Sequence, residues 1–196
     1  MTQHPMPDER RPANDGPKAA ARNRAALVTA ARAIYAEQGL NAPLSVIARR
    51  AGVGQGVLYR HFPDRAALET AVLEENVREV EQAAADERAD LPTVLAVLTW
   101  HLTESAAFIG LLHADKEGNR SQIRVHAAPL SERVERAVRS HLPDGHRLGA
   151  ANDLMLAVAM VSGAVTGPTR EGRERRALDA WRLLGVEVGP VRPFVV

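Results

Sequence analysis

Apolar residues recur at intervals of three or four along most of the chain, which is the spacing of one face of an α-helix. Between residues 21 and 38, for example, they fall on a single stripe, and Gly39 follows in a position suited to ending the helix. There is no convincing run of alternating apolar and polar residues, and no Asn-Gly or Asp-Gly turn flanked by β-branched runs. The pattern therefore predicts an all-α fold.

The same pattern predicts seven further helices. Asp64 and Asp90 precede two of them and are expected to cap their first turns. The helix that starts at residue 92 is apolar almost all round, so we expect it in the interior. Residues 114–126 are polar and contain glycine, which predicts a loop or an irregular short helix. The predicted ranges are 44–51, 55–61, 65–88, 92–102, 129–141, 152–165 and 170–184.

The chain divides into three predicted regions. Residues 1–17 carry four prolines and no long apolar run, so we expect a disordered arm rather than a secretory signal. Residues 18–65 are predicted to form a small helical domain, and residues 66–196 a larger one. The most apolar stretch, 154–161, is far shorter than the about 20 residues of a membrane-spanning helix. We therefore expect a cytoplasmic protein without membrane contact.

Charge is divided unevenly between these regions. Residues 18–65 contain eight lysines and arginines against two acidic residues, a net charge of +6, whereas the whole chain carries only +1. The remaining residues must therefore sum to −5. Such a division is typical of a protein in which one region meets a polyanion. A solvated basic face explains the charge alone equally well.

Residues 44–62 have the spacing of a helix-turn-helix. Ala48 is small where the two helices would cross, and Gly52 permits a sharp turn between them. The motif also needs apolar residues between its helices, and these are Ile47, Val53 and Leu58. Such packing leaves the outer edge of the second helix free to enter a DNA major groove, whose width admits one α-helix.

Three residues at the start of that second helix suit contacts with bases. Gln55 is the best base reader because its amide both donates to and accepts from an adenine edge. Gly56 permits a close approach of the backbone. Val57 offers an apolar contact to a thymine methyl group. The predicted partner is therefore double-stranded DNA.

The segment from Arg24 to Leu68 resembles the N-terminal domain of the tetracycline-repressor (TetR) family, above all in the run AxxAGVGxGVLYxHFxxRxxL that begins at Ala48. The resemblance implies a TetR-type helix-turn-helix in a homodimeric, ligand-responsive regulator, most simply a repressor of a palindromic operator. It also implies a role for seven residues. Gln55, Gly56 and Val57 would face bases, Tyr59, His61 and Arg65 would hold phosphates, and Ser45 would lie near the DNA.

The chemistry of the three phosphate candidates agrees with that role. A tyrosine hydroxyl, an imidazole and a guanidinium near one end of a short helix are all suited to phosphate oxygens. Without the surrounding motif, Tyr59 would be interpreted as a structural aromatic residue and His61 as a surface histidine.

The larger C-terminal region is expected to hold the dimer interface. Two-fold pairing places two recognition helices about 34 Å apart, one turn of DNA. The small residues in 152–165 permit close helix packing, and the stripe that contains Trp181 is suited to an intermolecular four-helix bundle. Burial within one chain explains the same apolar pattern.

The resemblance also implies an effector pocket between the middle helices. Suitable linings combine apolar bulk with a few polar tips, although each such residue more often belongs to an ordinary core. We expect a small molecule there to shift the protein toward a form that binds the operator weakly. The candidate linings are Trp100, His101, Phe108, His113, Met155 and Met160.

Other functions find less support in the sequence. No His-Glu-x-x-His, glycine-rich phosphate loop or Gly-x-Ser-x-Gly motif is present, so we expect neither an enzyme nor a cofactor. The seven histidines are scattered and cysteine is absent, so no metal site is expected. The alternative is a helical protein-interaction module without sequence-specific DNA binding.

Overall fold

The structure, a computed structural model, describes residues 16–104 and 121–194. Within these ranges all regular secondary structure is helical, so the predicted fold class is confirmed. We number the eight helices in chain order. They are α1 (Gly16–Gln38), α2 (Leu44–Arg50), α3 (Gln55–His61), α4 (Arg65–Ala85), α5 (Leu91–Glu104), α6 (Ser121–Arg139), α7 (Asp153–Ala164) and α8 (Arg170–Leu183).

Local chemistry accounts for the ends of several helices. Pro17 lies in the first turn of α1, where its missing N–H costs nothing, so α1 begins five residues before its predicted start and takes in the end of the predicted arm. Gly39 ends α1 with φ +78°. The carboxylate of Asp64 accepts the N–H of Ala67 at 2.8 Å. That of Asp90 accepts the N–H of Thr93 at 2.9 Å, which confirms both predicted caps.

The start of α6 corrects the sequence analysis. The helix begins at Ser121, so Pro129 lies inside it rather than at its start. The loop or irregular short helix predicted at 114–126 is therefore wrong from residue 121 onward, and its earlier part lies outside the described residues. A proline inside a helix removes one backbone donor, and packing along α4 offsets that cost. Three residues spaced four apart supply this packing, namely Leu130, Val134 and Val138.

A first hydrophobic core joins α1, α2, α3 and the first two turns of α4. We call this part of the molecule, residues 16–72, the head. The core forms because each helix turns one apolar stripe inward. Its large buried members are Leu27, Ile34, Ile47, Leu58, Phe62, Leu68 and Val72.

A second core joins the rest of α4 to α5, α6, α7 and α8, and we call described residues 73–194 the body. The apolar helix α5 lies inside it, as predicted, and packs on α4 and α8. Trp181 of α8 is fully buried, and its indole N–H donates to the hydroxyl of Thr99 at 2.9 Å. The prediction of an intermolecular Trp181 stripe is therefore wrong, because this residue already has its partner within the chain.

Helix α4 belongs to both cores. Leu68 packs in the head, Val80 packs in the body, and between them Leu73 and Val77 contact Leu130 of α6. The domain boundary predicted between residues 65 and 66 falls at the first residue of this shared helix. Head and body are thus joined by a continuous helix rather than by a loop. None of the described helices combines the length and apolar character that crossing a bilayer requires.

Candidate nucleic-acid interface

A glycine turn sets the angle between α2 and α3. Gly52 has φ +71°, a left-handed conformation that glycine adopts without steric cost. Its N–H donates to the carbonyl of Arg49 at 3.1 Å, and the N–H of Val53 donates to that of Ala48 at 3.0 Å. These two bonds make a Schellman motif, which satisfies the last carbonyls of α2 and fixes the direction in which the chain leaves it.

The inner side of the helix-turn-helix is apolar and closed. Ile47 and Leu58 are fully buried, Ala48 is buried where the helices meet, and Val53 is partly buried against the same core. The predicted packing of these residues is confirmed. Because the interior is close-packed, the shapes of these side chains hold α3 in one position relative to α2.

The outer edge of α3 is accessible. Gln55 and Gly56 are exposed in its first turn, and Tyr59 is 52% exposed one turn later. Residues three and four apart are neighbours on a helix, so these three positions share one side. Val57 is half-buried beside them, and Ser45 is exposed in α2. The edge predicted to read bases is thus free of other parts of the described chain.

His61 is the last residue of α3, and Phe62 follows it directly. Phe62 is almost completely buried, whereas the adjoining His61 is partly exposed, and their ring centroids lie 6.3 Å apart. On α1, Arg24 is exposed, with its Cζ 5.3 Å from the centroid of the Phe62 ring. Arg24 was not among the predicted DNA contacts, although it lies in the basic segment 18–65.

Arg65, by contrast, is engaged inside the protein. Its guanidinium donates to the carbonyl of Ala42 at 2.7 Å and to the carbonyl of Leu40. These bonds tie the loop between α1 and α2 to the start of α4, so the geometry fits a positioning role better than the predicted phosphate contact. Burial, with the charge of Glu69, raises the pKa of Tyr35 to about 12, although Arg65 opposes the rise. Tyr35 therefore stays neutral at physiological pH.

Most cationic side chains of the head face solvent. Arg32 and Arg65 are partly buried, whereas the other six lysines and arginines between residues 18 and 65 are exposed. The ion pair of Arg50 with Glu37, at 3.4 Å, is itself exposed, and such pairs neutralise little. The positive charge found in the sequence therefore lies on the surface. The exposed residues are Lys18, Arg22, Arg24, Arg49, Arg50 and Arg60.

Of the six predicted effector-pocket residues, Phe108 and His113 lie outside the described ranges, and the other four fall in two places. Trp100 and His101 are adjacent in α5, with ring centroids 4.9 Å apart. Met155 is half-buried in α7, whereas Met160 is 54% exposed on the outer side of α7. This position of Met160 does not fit a pocket enclosed within one chain.

Three charged or titratable side chains meet where head and body join. Glu79 of α4 contacts Arg32 of α1 (Oε1 to Nη1, 2.9 Å) and His101 of α5 (Oε2 to Nε2, 3.2 Å). Burial lowers the pKa of His101, although the Glu79 carboxylate opposes this. Burial also acts to raise the pKa of Glu79, but the contacts with His101 and Arg32 outweigh it and leave this pKa below its ordinary value. We call these three residues the interhelix cluster.

The outer face of α7 is apolar. Leu156 is 59% exposed and Met160 is 54% exposed. Ala159 and Gly163 are exposed on the same side, since these four positions follow a spacing of three and four. Large apolar side chains side by side on a surface mark an interaction site more often than single ones do.

Residues 27–72 match the family described as bacterial regulatory proteins, tetR family. The TetR transcriptional regulator SCO0520 from Streptomyces coelicolor is 25% identical, with a TM-score of 0.51, over 88% of this chain and 99% of that one. The TetR family protein CprB from S. coelicolor A3(2) is 24% identical, with a TM-score of 0.49, over 85% and 88%. A comparison with curated proteins finds no match. The family match covers the helix-turn-helix, and the likeness to SCO0520 extends over both cores.

Proposed function

We propose that this chain, a DNA-binding transcriptional regulator of the TetR family, is a cytoplasmic repressor that binds a palindromic operator as a homodimer and is released by a small molecule. Repression is the simplest direction of control because it needs only occupancy of a promoter. The proposal assigns the chain no catalytic activity.

The outer edge of α3 carries the proposal. Gln55, Gly56 and Tyr59 are exposed on one side of a helix whose other side is fixed by Ile47 and Leu58. A rigid helix that presents an amide and a hydroxyl next to an exposed basic surface matches a major groove flanked by phosphates. We assign base contacts to Gln55, Gly56 and Val57 and phosphate contacts to Tyr59 and His61, with Ser45 close to the DNA. Arg65 is assigned to positioning.

The outer face of α7 supports the homodimer. Leu156, Ala159, Met160 and Gly163 form an exposed apolar stripe in which the two small residues allow a second helix to approach closely. A two-fold interface uses the same patch on both partners, and a single apolar stripe meets that requirement. Dimerisation also supplies the second head that a palindromic operator needs.

The interhelix cluster supports the response to a ligand. His101 and Trp100 lie on the apolar helix α5, and through Glu79 the cluster reaches Arg32 on α1 of the head. An effector that binds the body beside His101 and displaces α5 would therefore alter the contacts that hold α1. Its effect on operator affinity equals the ratio of its affinities for the two forms.

The test is binding to duplex DNA from the region upstream of the protein's own gene, measured by fluorescence anisotropy against an unrelated duplex. The parent chain should prefer the upstream duplex and should lose affinity steeply as salt rises. The double variant Gln55→Ala, Tyr59→Ala should lose that preference, because one base contact is worth about 1–3 kcal/mol. Its thermal melting should match that of the parent, since both side chains are exposed.

A matched control is Glu171→Gln with Arg175→Ala, which changes two exposed side chains of α8 far along the chain from the head. This control should keep the preference. If the Gln55, Tyr59 variant also keeps the parent's preference, the assignment of α3 is wrong. If the parent binds no duplex but captures an acidic protein partner, the chain is instead a helical protein-interaction module.

A further inference from the structure

We propose that Arg24 is an additional ligand of the DNA backbone, held ready by stacking on Phe62 at the end of α3. This inference rests on the proposed DNA binding and adds a contact from α1, a helix outside the helix-turn-helix. It concerns affinity rather than the choice of sequence, because phosphates carry no base information.

The position of Arg24 suits a contact with the DNA backbone. Arg24 is exposed, and its Cζ lies 5.3 Å from the centroid of the Phe62 ring. Phe62 itself is 2% exposed and directly follows His61, so the ring is a fixed support next to a predicted phosphate ligand. A cation within about 6 Å of a ring face is attracted to it. Stacking therefore restricts a long flexible side chain to the neighbourhood of His61 before DNA arrives.

The charge of Arg24 is also available to a phosphate. Arg24, His61 and Phe62 line a cavity of about 410 Å³ whose wall also includes Asp64 and Glu74. In the described part of the chain, however, neither carboxylate forms an ion pair with Arg24. Asp64 uses an oxygen to cap α4 at the N–H of Ala67. Arg24 thus keeps its charge and its donors, and a planar guanidinium matches the geometry of a phosphate.

Arg32, a second arginine of α1, has a structural role and can be compared with Arg24. Arg32 also lies over a ring, with its Cζ 5.9 Å from the centroid of Trp100, but its Nη1 pairs with Glu79 at 2.9 Å. Its side chain is only 19% exposed. Two turns earlier on α1, Arg24 lies over a ring but forms no ion pair with a described residue, and it is exposed to solvent. Because of this difference, we assign Arg32 to packing within the protein and Arg24 to binding a ligand.

The experiment compares Arg24→Ala, Arg24→Lys and the parent by fluorescence anisotropy on the upstream duplex and on an unrelated duplex, from about 50 to 200 mM NaCl. The alanine variant should bind both duplexes roughly tenfold more weakly than the parent does. The slope of log K against log salt should fall in magnitude by about 0.9 for each phosphate that the variant no longer neutralises. The lysine variant keeps the charge, so most of the slope should return.

Arg175→Ala on α8 is the matched control, because it removes another exposed arginine, which belongs to the body. Its salt slope should equal that of the parent. If Arg24→Ala leaves the slope unchanged, or if Arg175→Ala lowers it equally, Arg24 is not a backbone ligand. Should the alanine variant fail to fold, Arg24→Gln, which keeps a long side chain, takes its place with the same expected slope.

The failure of this inference is distinguishable from the failure of the proposed function. If the parent binds the duplex and Gln55→Ala removes its preference, but Arg24→Ala behaves as the parent does, Arg24 alone has been misassigned. If the parent shows no salt-dependent duplex binding, both the proposed function and the Arg24 contact are wrong.

Discussion

The head and the body expose different kinds of side chain. The head turns its large apolar residues inward and places six lysines and arginines on its surface, together with the polar edge of α3. The body has a closed core as well, yet Leu156 and Met160 on α7 are more than half exposed. A cationic surface is complementary to a polyanion, and an apolar stripe is complementary to another protein surface. The exposed surfaces of the two regions therefore suit partners of different chemistry.

The connection between these regions is as informative as their difference. Helix α4 runs from one core into the other, and Glu79 on this helix contacts both Arg32 of the head and His101 of the body. In the proposed ligand response, a movement of α5 against α4 would therefore reach α1 through side-chain contacts rather than through a loop. Coupling between sites needs such a contiguous element that both of them bias.

The buried apolar residues of the body should stabilise the fold, whereas its exposed ones should not. We therefore expect the largest loss of stability for Trp181→Ala. This residue is fully buried and donates to Thr99, so truncation removes its packing, leaves a cavity and orphans a hydroxyl group. The free energy of unfolding should fall by about 3–5 kcal/mol. Chemical denaturation followed by circular dichroism measures this.

The control lies two residues further along the same helix. Leu183 is 77% exposed, so Leu183→Ala should change the free energy of unfolding by less than about 0.5 kcal/mol. Equal decreases for the two variants would mean that the described core of the body is wrong.

A smaller but more specific effect is expected from Met160→Glu on the outer face of α7. Each copy would bring a charge into the proposed apolar dimer interface, and a buried charge without a partner costs about 3 kcal/mol or more. The dimer dissociation constant should therefore rise about a hundredfold or more, as sedimentation velocity will measure. Ala85→Glu, which adds the same charge at an exposed position of α4, should leave the dimer intact. A dimer that survives Met160→Glu must use another face.

The elements that the sequence predicted well are those decided by near neighbours. Gly52 ends α2 because a left-handed residue is needed there. Asp64 and Asp90 cap helices that begin immediately after them. The exposed position of Gly56 follows from the burial of Leu58, which lies two residues further along and hence on the opposite side of the same short helix. Each of these needs only a few residues of context, so the helix-turn-helix was predictable in detail.

The predictions that failed depend on distant partners. Periodicity shows that Trp181 lies on an apolar stripe, but the stripe faces inward because Thr99 and the rest of α5 receive it. Pro129 looks like a helix start until packing of the following residues against α4 is known. The role predicted for Arg65 stays a prediction, but its hydrogen bond to the carbonyl of Ala42, 23 residues earlier in the chain, was likewise not visible in the sequence. No local pattern encodes these contacts.

The smallest expected effect is a dependence of thermal stability on pH, which arises from the interhelix cluster where the head meets the body. Burial lowers the pKa of His101 below its ordinary value of 6.5, so the unfolded chain binds a proton more readily than the folded one and stability falls as the pH drops below 6.5. The lowered pKa of Glu79 adds a decrease of the same sign below pH 4.5. The melting temperature should therefore fall as the pH is lowered from 7.5 to 5. In His101→Gln the melting temperature should depend less on pH. His61→Gln, at a partly exposed histidine of α3, should keep the slope of the parent. A parent whose melting temperature is constant over this range would mean that His101 is not buried as a neutral group between head and body.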